Sequence, residues 1–181
     1  MITQRQYIEN LLERHHITCA NPVTTSMDPN NNPEPSEDTA VIDWSNPYAQ
    51  LLGELQYLAN TTRLDIAYAV HKLASYTANP TLEHYFTLKG ILRYLKGTIM
   101  YDITYKQQIY TQTPLIGYVN AGFTNAEQKK SITGTCFLSA GGAVTWRSKK
   151  QLLSALSTTE AEYTVGSKTV AMIGHFWLGA M

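Results

Sequence analysis

The apolar pattern changes period at Tyr101, and that change constrains the fold more than any other feature of the chain. Upstream, Tyr48, Leu51, Leu52, Leu55 and Leu58 recur at helical spacing, as do Ile66, Ala69, Val70 and Leu73, and then Leu82, Tyr85, Leu88, Ile91, Leu92 and Leu95. Each set makes one stripe on a helix of roughly 3.6 residues per turn. The spacing predicts a helix with Pro47 at its first position, a second over Leu64–Ser75, and a third over Thr81–Lys96, with Gly97 just past its end. Residues 3–14 add an amphipathic helix with Tyr7, Ile8, Leu11 and Leu12 as its stripe and Thr3-x-x-Gln6 as a capping box. Downstream the pattern alternates. Tyr101, Ile103 and Tyr105 read as a short strand, and Leu115–Val119, Thr133–Ser139 and Ala143–Arg147 as three more, with Gly141-Gly142 closing a hairpin. The expected class is α+β: a helical block, then a three-stranded antiparallel sheet and one helix.

That last helix opens near Thr158, capped by Ser157 or Thr158, with Glu160 and Glu162 in its first turn. Ala161, Val165, Met172, Ile173, Phe176 and Trp177 form a broad apolar arc, and Glu162 falls in the middle of it. A carboxylate in a core-facing stripe is costly unless it is paired, hydrogen-bonded or bound to metal. Glu162 is therefore a candidate functional residue, while Glu160 reads as a solvated acid.

Charge is unevenly spread although the net charge is +0. From Arg14 to Arg63 no lysine or arginine intervenes, yet Asp28, Glu34, Glu37, Asp38, Asp43 and Glu54 all lie there. From Glu127 to Glu160 the balance reverses, with Lys129, Lys130, Arg147, Lys149 and Lys150 and no acid among them, so a positive local field is expected. Residues 20–46 carry Pro22, Pro29, Pro33 and Pro35, several asparagines and acids, and read as a linker. Cys19 and Cys136 lack metal-ligand spacing and are expected as free thiols in a reducing compartment. His15-His16 reads as a solvated pair at a helix end rather than a metal site. No signal peptide and no membrane-length apolar run is present, so the expected location is intracellular, in cytoplasm or nucleus, with no membrane partner.

Four motifs then carry a resemblance: Tyr118-Val119-Asn120-Ala121-Gly122-Phe123, Lys130-Ser131-Ile132-Thr133-Gly134, Trp146-Arg147-Ser148-Lys149-Lys150-Gln151, and Leu156-Ser157-Thr158-Thr159-Glu160-Ala161-Glu162-Tyr163. In this order and spacing they resemble the ribonuclease H region of Ty1/copia-type retrotransposon Pol polyproteins. Residues 1–19 resemble the end of the family's reverse transcriptase, and residues 47–100 the helical connection between polymerase and ribonuclease H. Residues 101–181 resemble an incomplete ribonuclease H-like domain. The polymerase's paired aspartates have no counterpart in this sequence, so no polymerase activity is expected.

The family cleaves RNA in RNA–DNA hybrids with two divalent ions, which demand several oxygen ligands on one side of a cleft. The resemblance puts Asn120 where the family has the Asp that ligates both metals, and Gly122 where it has a second Asp. Glu162 matches the helix Glu, leaving it as the one vestigial metal ligand. Mg²⁺ is the family's cofactor; none is expected to be held here, and the implied function is that of a catalytically inactive retroelement fragment. Lys129, Lys130, Lys149 and Lys150 resemble the basic residues around the family's hybrid groove, and Ser131, Thr133 and Gly134 could offer hydroxyl and backbone N–H groups to phosphate, which makes an RNA–DNA hybrid or other nucleic acid the expected partner. Lys89, Arg93 and Lys96 could follow a phosphate backbone, though a solvated helix face is the simpler reading. A retained, non-catalytic nucleic-acid-binding module is the alternative function. The sequence leaves the oligomeric state open.

Overall fold

The computed structural model describes residues 1–28, 48–106, 115–122 and 132–150. The chain divides into two compact units between Ile103 and Thr104.

The first unit is helical: α1 (Arg5–Arg14), α2 (Tyr48–Thr61), a 3₁₀ turn at Leu64–Ile66, α3 (Ala67–Ala74) and α4 (Leu82–Gly97). The apolar stripes meet in one core. Ile8 and Leu11 of α1, Leu51, Leu55 and Leu58 of α2, Val70 and Leu73 of α3, and Leu88, Ile91, Leu92 and Leu95 of α4 are all buried. The Tyr48 hydroxyl donates to the Leu73 carbonyl at 2.9 Å, tying the start of α2 to the end of α3. Burial raises the pKa of that phenol. The antiparallel bridge of Ile2 with Ile103, with N–H to carbonyl distances of 2.8 and 3.1 Å, joins the two ends of the unit.

Several local expectations are corrected. The Thr3–Gln6 capping box does not form: Gln6 donates forward to Asn10 at 3.2 Å, and Gln4, the residue that flanks the helix, accepts from the hydroxyls of Thr61 and Thr62 at 2.8 and 2.6 Å. A working box occurs instead at α4, where Thr81 accepts from the His84 N–H and donates its own N–H to His84 Nδ1 at 2.9 Å. The helix expected over Leu64–Ser75 begins with the 3₁₀ turn, and Leu64 is 41% exposed. Gly97 is the last residue of α4, not a residue beyond it, and Thr98 caps with negative φ. The glycine is needed for close approach, because a Cβ there would lie 3.1 Å from Pro22 Cβ. Tyr101, Ile103 and Tyr105 do not make a strand; Ile103 has its one bridge and Tyr101 is exposed. Pro47 and residues 29–46 of the expected linker lie outside the described residues.

The second unit holds β1 (Ile116–Gly122), β2 (Ile132–Ser139) and β3 (Gly142–Lys150), antiparallel in the order β1-β2-β3. The described elements are thus four α-helices and an open antiparallel sheet, a mixed α+β arrangement. Ala140 and Gly141 are the two hairpin loop residues, at φ 52° and 78°, the left-handed pair that a two-residue turn between twisted strands requires. Gly142 opens β3 instead of closing the turn. It is a glycine because a Cβ would stand 2.6 Å from Tyr105 Cδ1 and 3.0 Å from the Thr104 carbonyl. Tyr105 seals the same corner by donating its hydroxyl to the Ala143 carbonyl at 2.6 Å.

Candidate functional site

Side chains alternate across a strand, and residues directly opposite on neighbouring strands share a face. The register of this sheet therefore sorts the expected site residues without ambiguity. Asn120 of β1 pairs with Gly134 of β2, which pairs with Ser148 of β3. The next row out is Ala121, Thr133 and Lys149, and it belongs to the opposite face. Behind that row, Val119, Thr135 and Arg147 align on the same face as Thr133 and Lys149. Asn120 and Gly134 are thus brought together. Thr133 and Lys149 are brought together as well, but away from Asn120. Lys150 pairs with Ile132 at the end of the sheet, as does Gly122. Glu162, Lys129, Lys130 and Ser131 lie outside the described residues.

The Asn120 row is open and neutral. Asn120 is exposed, and among the described residues a Cβ at the half-buried Gly134 would meet only the Asn120 carbonyl, at 4.0 Å. Tyr118, Cys136 and Trp146 form the adjacent row on the same face, with Tyr118 58% exposed. Burial pushes the Cys136 thiol up in pKa, which makes it a poor nucleophile at neutral pH. A hard divalent cation wants several oxygen ligands with carboxylates among them. This row offers an amide oxygen and a hydroxyl, both neutral, so the described residues do not fit Mg²⁺ by themselves. Among the described residues no cluster of three or more His, Cys, Asp or Glu side chains could hold a metal ion.

The opposite face carries charge. Arg147 and Lys149 are exposed, and Thr133 and Thr135 beside them are half-buried. Neither strand β1, β2 nor β3 contains an acid. The expected site residues include neither Thr135 nor Arg147, although Arg147 belongs to the acid-free basic stretch and its i, i+2 spacing from Lys149 already puts the two on one side of a strand.

In the helical unit, charges are spent on structure. Lys96 donates to the carbonyls of Thr18 and Ala20 at 2.7 and 2.8 Å, and Arg93 to that of Asn21 at 2.7 Å. Both pin the segment after α1 instead of presenting a solvated row. His15 is buried, not solvated, with Nε2 2.7 Å from Glu54 Oε2, and Arg14 pairs with the same carboxylate. Arg63 is 1% exposed. Its guanidinium holds Asp65 at 2.7 Å, donates to the Thr98 carbonyl at 3.2 Å and lies over the rings of Tyr94 and Tyr101. Burial, then the hydrogen bond and negative charge of Asp65, push the Tyr94 phenol up to about 12. A shallow cleft of about 350 Å³ opens beside this cluster, between Thr62–Asp65 and Met100–Ile103. No helix among the described residues is long and apolar enough to cross a membrane.

A helical unit followed by an open antiparallel sheet, with Arg147 and Lys149 on the face opposite Asn120, defines an α+β protein without a described metal cage. Comparison with known proteins narrows this further. The chain is 37% identical over 174 residues to the retrovirus-related Pol polyprotein from transposon TNT 1-94 of Nicotiana tabacum, a match covering 93% of this chain and 13% of that protein. It is 38% identical over 163 residues to the retrovirus-related Pol polyprotein from transposon RE1 of Arabidopsis thaliana, covering 90% of this chain and 11% of that protein. It is also 39% identical over 118 residues to the secreted RxLR effector protein 161 of Plasmopara viticola, covering 65% of this chain and 82% of that protein. No protein-family model matches the chain, and no solved structure matches it. The chain belongs to the family of retrovirus-related Pol polyproteins of copia-type retrotransposons. It spans only 11–13% of the length of those Pol relatives.

Proposed function

We propose that this chain is the part of a copia-type Pol polyprotein that runs from the end of reverse transcriptase through the helical connection into a ribonuclease H-like domain, and that it does not hydrolyse RNA. The observation that carries the reading is the neutral Asn120–Gly134–Ser148 row. Two-metal hydrolysis needs carboxylates that clamp both ions on the attacking and leaving oxygens. An amide at position 120 of β1 keeps an oxygen but not the charge, and Glu162 alone cannot supply the remainder. What the segment keeps is a weak, sequence-independent affinity for nucleic acid, with RNA–DNA hybrid as the reference ligand, in the cytoplasm or nucleus. Its basic residues without acids support that part of the reading.

The test is cleavage of a labelled RNA–DNA hybrid with Mg²⁺ or Mn²⁺ by the parent, Asn120→Asp and Glu162→Gln. Absence of cleavage by all three is expected. Cleavage by the parent that disappears in Glu162→Gln overturns the reading. Cleavage gained only by Asn120→Asp would support inactivity of the parent and place the whole defect at one amide.

A further inference from the structure

We infer that His84 is an acid-sensitive latch on the start of α4: the neutral imidazole closes the first turn of the helix, and a proton on that ring opens it. The device lies wholly in the helical unit and does not depend on the function proposed above. Nδ1 of His84 accepts from the Thr81 backbone N–H at 2.9 Å, and the Thr81 hydroxyl stands 2.7 Å from the same nitrogen. A ring nitrogen that accepts carries no hydrogen, so the closed turn holds the neutral ring with its hydrogen on Nε2. Protonation sets an N–H at Nδ1 against another N–H. The hydroxyl can take the new hydrogen, but the Thr81 N–H then loses its acceptor in a place only 5% exposed. A buried donor without a partner is costly. Two further effects act in the same direction. His84 is 0% exposed, and burial disfavours a charged ring. The charge would also sit in the first turn of a 16-residue helix, where the macrodipole repels a cation. The usual glutamate or glutamine at this position of a capping box is indifferent to pH near neutrality, whereas histidine brings titration into that range. From beyond the end of α3 the Tyr76 ring stacks on the imidazole, with centroids 4.2 Å apart. Its face attracts a cation weakly and gives the Thr81 N–H no acceptor. Tyr48 of α2, whose phenol is pushed up in pKa by burial, lies within electrostatic reach of Tyr76, and phenols are uncharged in acid. The last turn of α3 carries His71 and Lys72, and exposed Glu83 precedes His84 on α4 itself.

The experiment is urea unfolding of the full chain at about pH 7.5 and about pH 5, followed by the helical far-ultraviolet signal, for the parent and His84→Gln. Glutamine keeps an oxygen for the Thr81 N–H and does not titrate. An unfolded histidine takes its proton near about pH 6.5. Where the folded form refuses that proton, the unfolded state binds one more below this pH, and stability falls as pH falls. The parent's folding constant should then drop by about tenfold per pH unit, or about thirtyfold between the two conditions, relative to His84→Gln. The remaining histidines are common to both proteins and cancel in the comparison. Equal losses in parent and variant overturn the inference. A second measurement uses the parent alone: the nuclear magnetic resonance shifts of the His84 ring nitrogens against pH, beside the exchange protection of the His84 and Tyr85 amides, which bond to the Thr81 hydroxyl and carbonyl. Protonation at Nδ1 that coincides with loss of that protection supports the latch. An Nδ1 that gains its proton while both amides stay protected overturns it.

Discussion

Removing Asp65 alone from the Arg63–Asp65 pair should destabilise the helical unit far more than removing both partners. The Arg63 side chain is 2% exposed and that of Asp65 27%. Nε donates to Oδ1 at 3.0 Å and Nη2 to Oδ2 at 2.7 Å, a two-pronged fork. Asp65→Ala strands a guanidinium that cannot lose its proton in a site nearly closed to water. The expected cost is about 3–5 kcal/mol. Arg63→Met keeps most of the volume, and the carboxylate it abandons retains access to water. What it loses is the donors to the Thr98 carbonyl and hydroxyl at the end of α4 and the cation over the Tyr94 and Tyr101 rings, so a cost of about 1–3 kcal/mol is expected. The double variant carries no uncompensated charge. It forfeits the Thr98 bonds, the bond between Tyr94 and Asp65 and the ring contacts of the guanidinium, all of them partly replaced by water or packing, for about 1–2 kcal/mol. A double-mutant cycle should then show at least about 2 kcal/mol of coupling. Urea unfolding followed by the helical far-ultraviolet signal gives the four midpoints. Single costs that add to the double within about 0.5 kcal/mol would refute the argument, because they would mean that the charges behave as solvated ones.

The β2–β3 corner makes a second prediction: Gly142→Ala should lower stability by about 1–3 kcal/mol by driving a Cβ into the Tyr105 ring, and Ala140→Asn should raise it by about 1 kcal/mol by relieving a left-handed alanine. Thermal midpoints that move the other way would refute the turn geometry. A third concerns acid. Burial by itself would raise the Glu54 pKa, but the hydrogen bonds and positive charges of His15 and Arg14 outweigh it and hold the carboxyl below its ordinary value of 4.5. A carboxyl lowered on folding stabilises above its unfolded pKa, and that contribution is lost as pH falls through the folded value. The parent should therefore melt above Glu54→Gln at neutral pH, with the gap closing in acid below about pH 4.5; a gap that persists there contradicts the assignment.

The helices were legible because their stripes have a single solution. Leu51, Leu55 and Leu58, or Leu88, Ile91, Leu92 and Leu95, can be buried together only on helices, and all seven are. What period could not show was how the ends are tied. The α4 box uses His84 at the position where the sequence signature has Glu or Gln. The expected box at Thr3 loses because Gln4 bonds to residues 57 and 58 positions away, a tertiary partner that no local window contains. Among the described residues the alternation at Tyr101, Ile103 and Tyr105 meets only the Ile2 bridge and the bond from the Lys106 N–H to the Ala140 carbonyl at 2.8 Å, and a strand without a ladder is only an extended segment.

For the candidate site the same period of two cuts the other way. Thr133 and Gly134 are adjacent on β2, and adjacent residues on a strand point to opposite faces. A list that took both as one nucleic-acid surface already contained a division that the strand assignment alone implies. The register adds the decisive part, which no single strand carries: Gly134 goes with Asn120, and Thr133 goes with Lys149. Sliding β2 by one residue relative to β1 would exchange these partners and put Thr133 beside the amide. Against that slip stand Gly117 and Phe137, paired on one face, where a Cβ at Gly117 would lie 3.0 Å from the Phe137 ring. Phe137 is buried, and a one-residue slip would set Ile116 or Tyr118 opposite its ring in place of the bare glycine. The register that keeps this contact also keeps Asn120 and Lys149 on opposite faces.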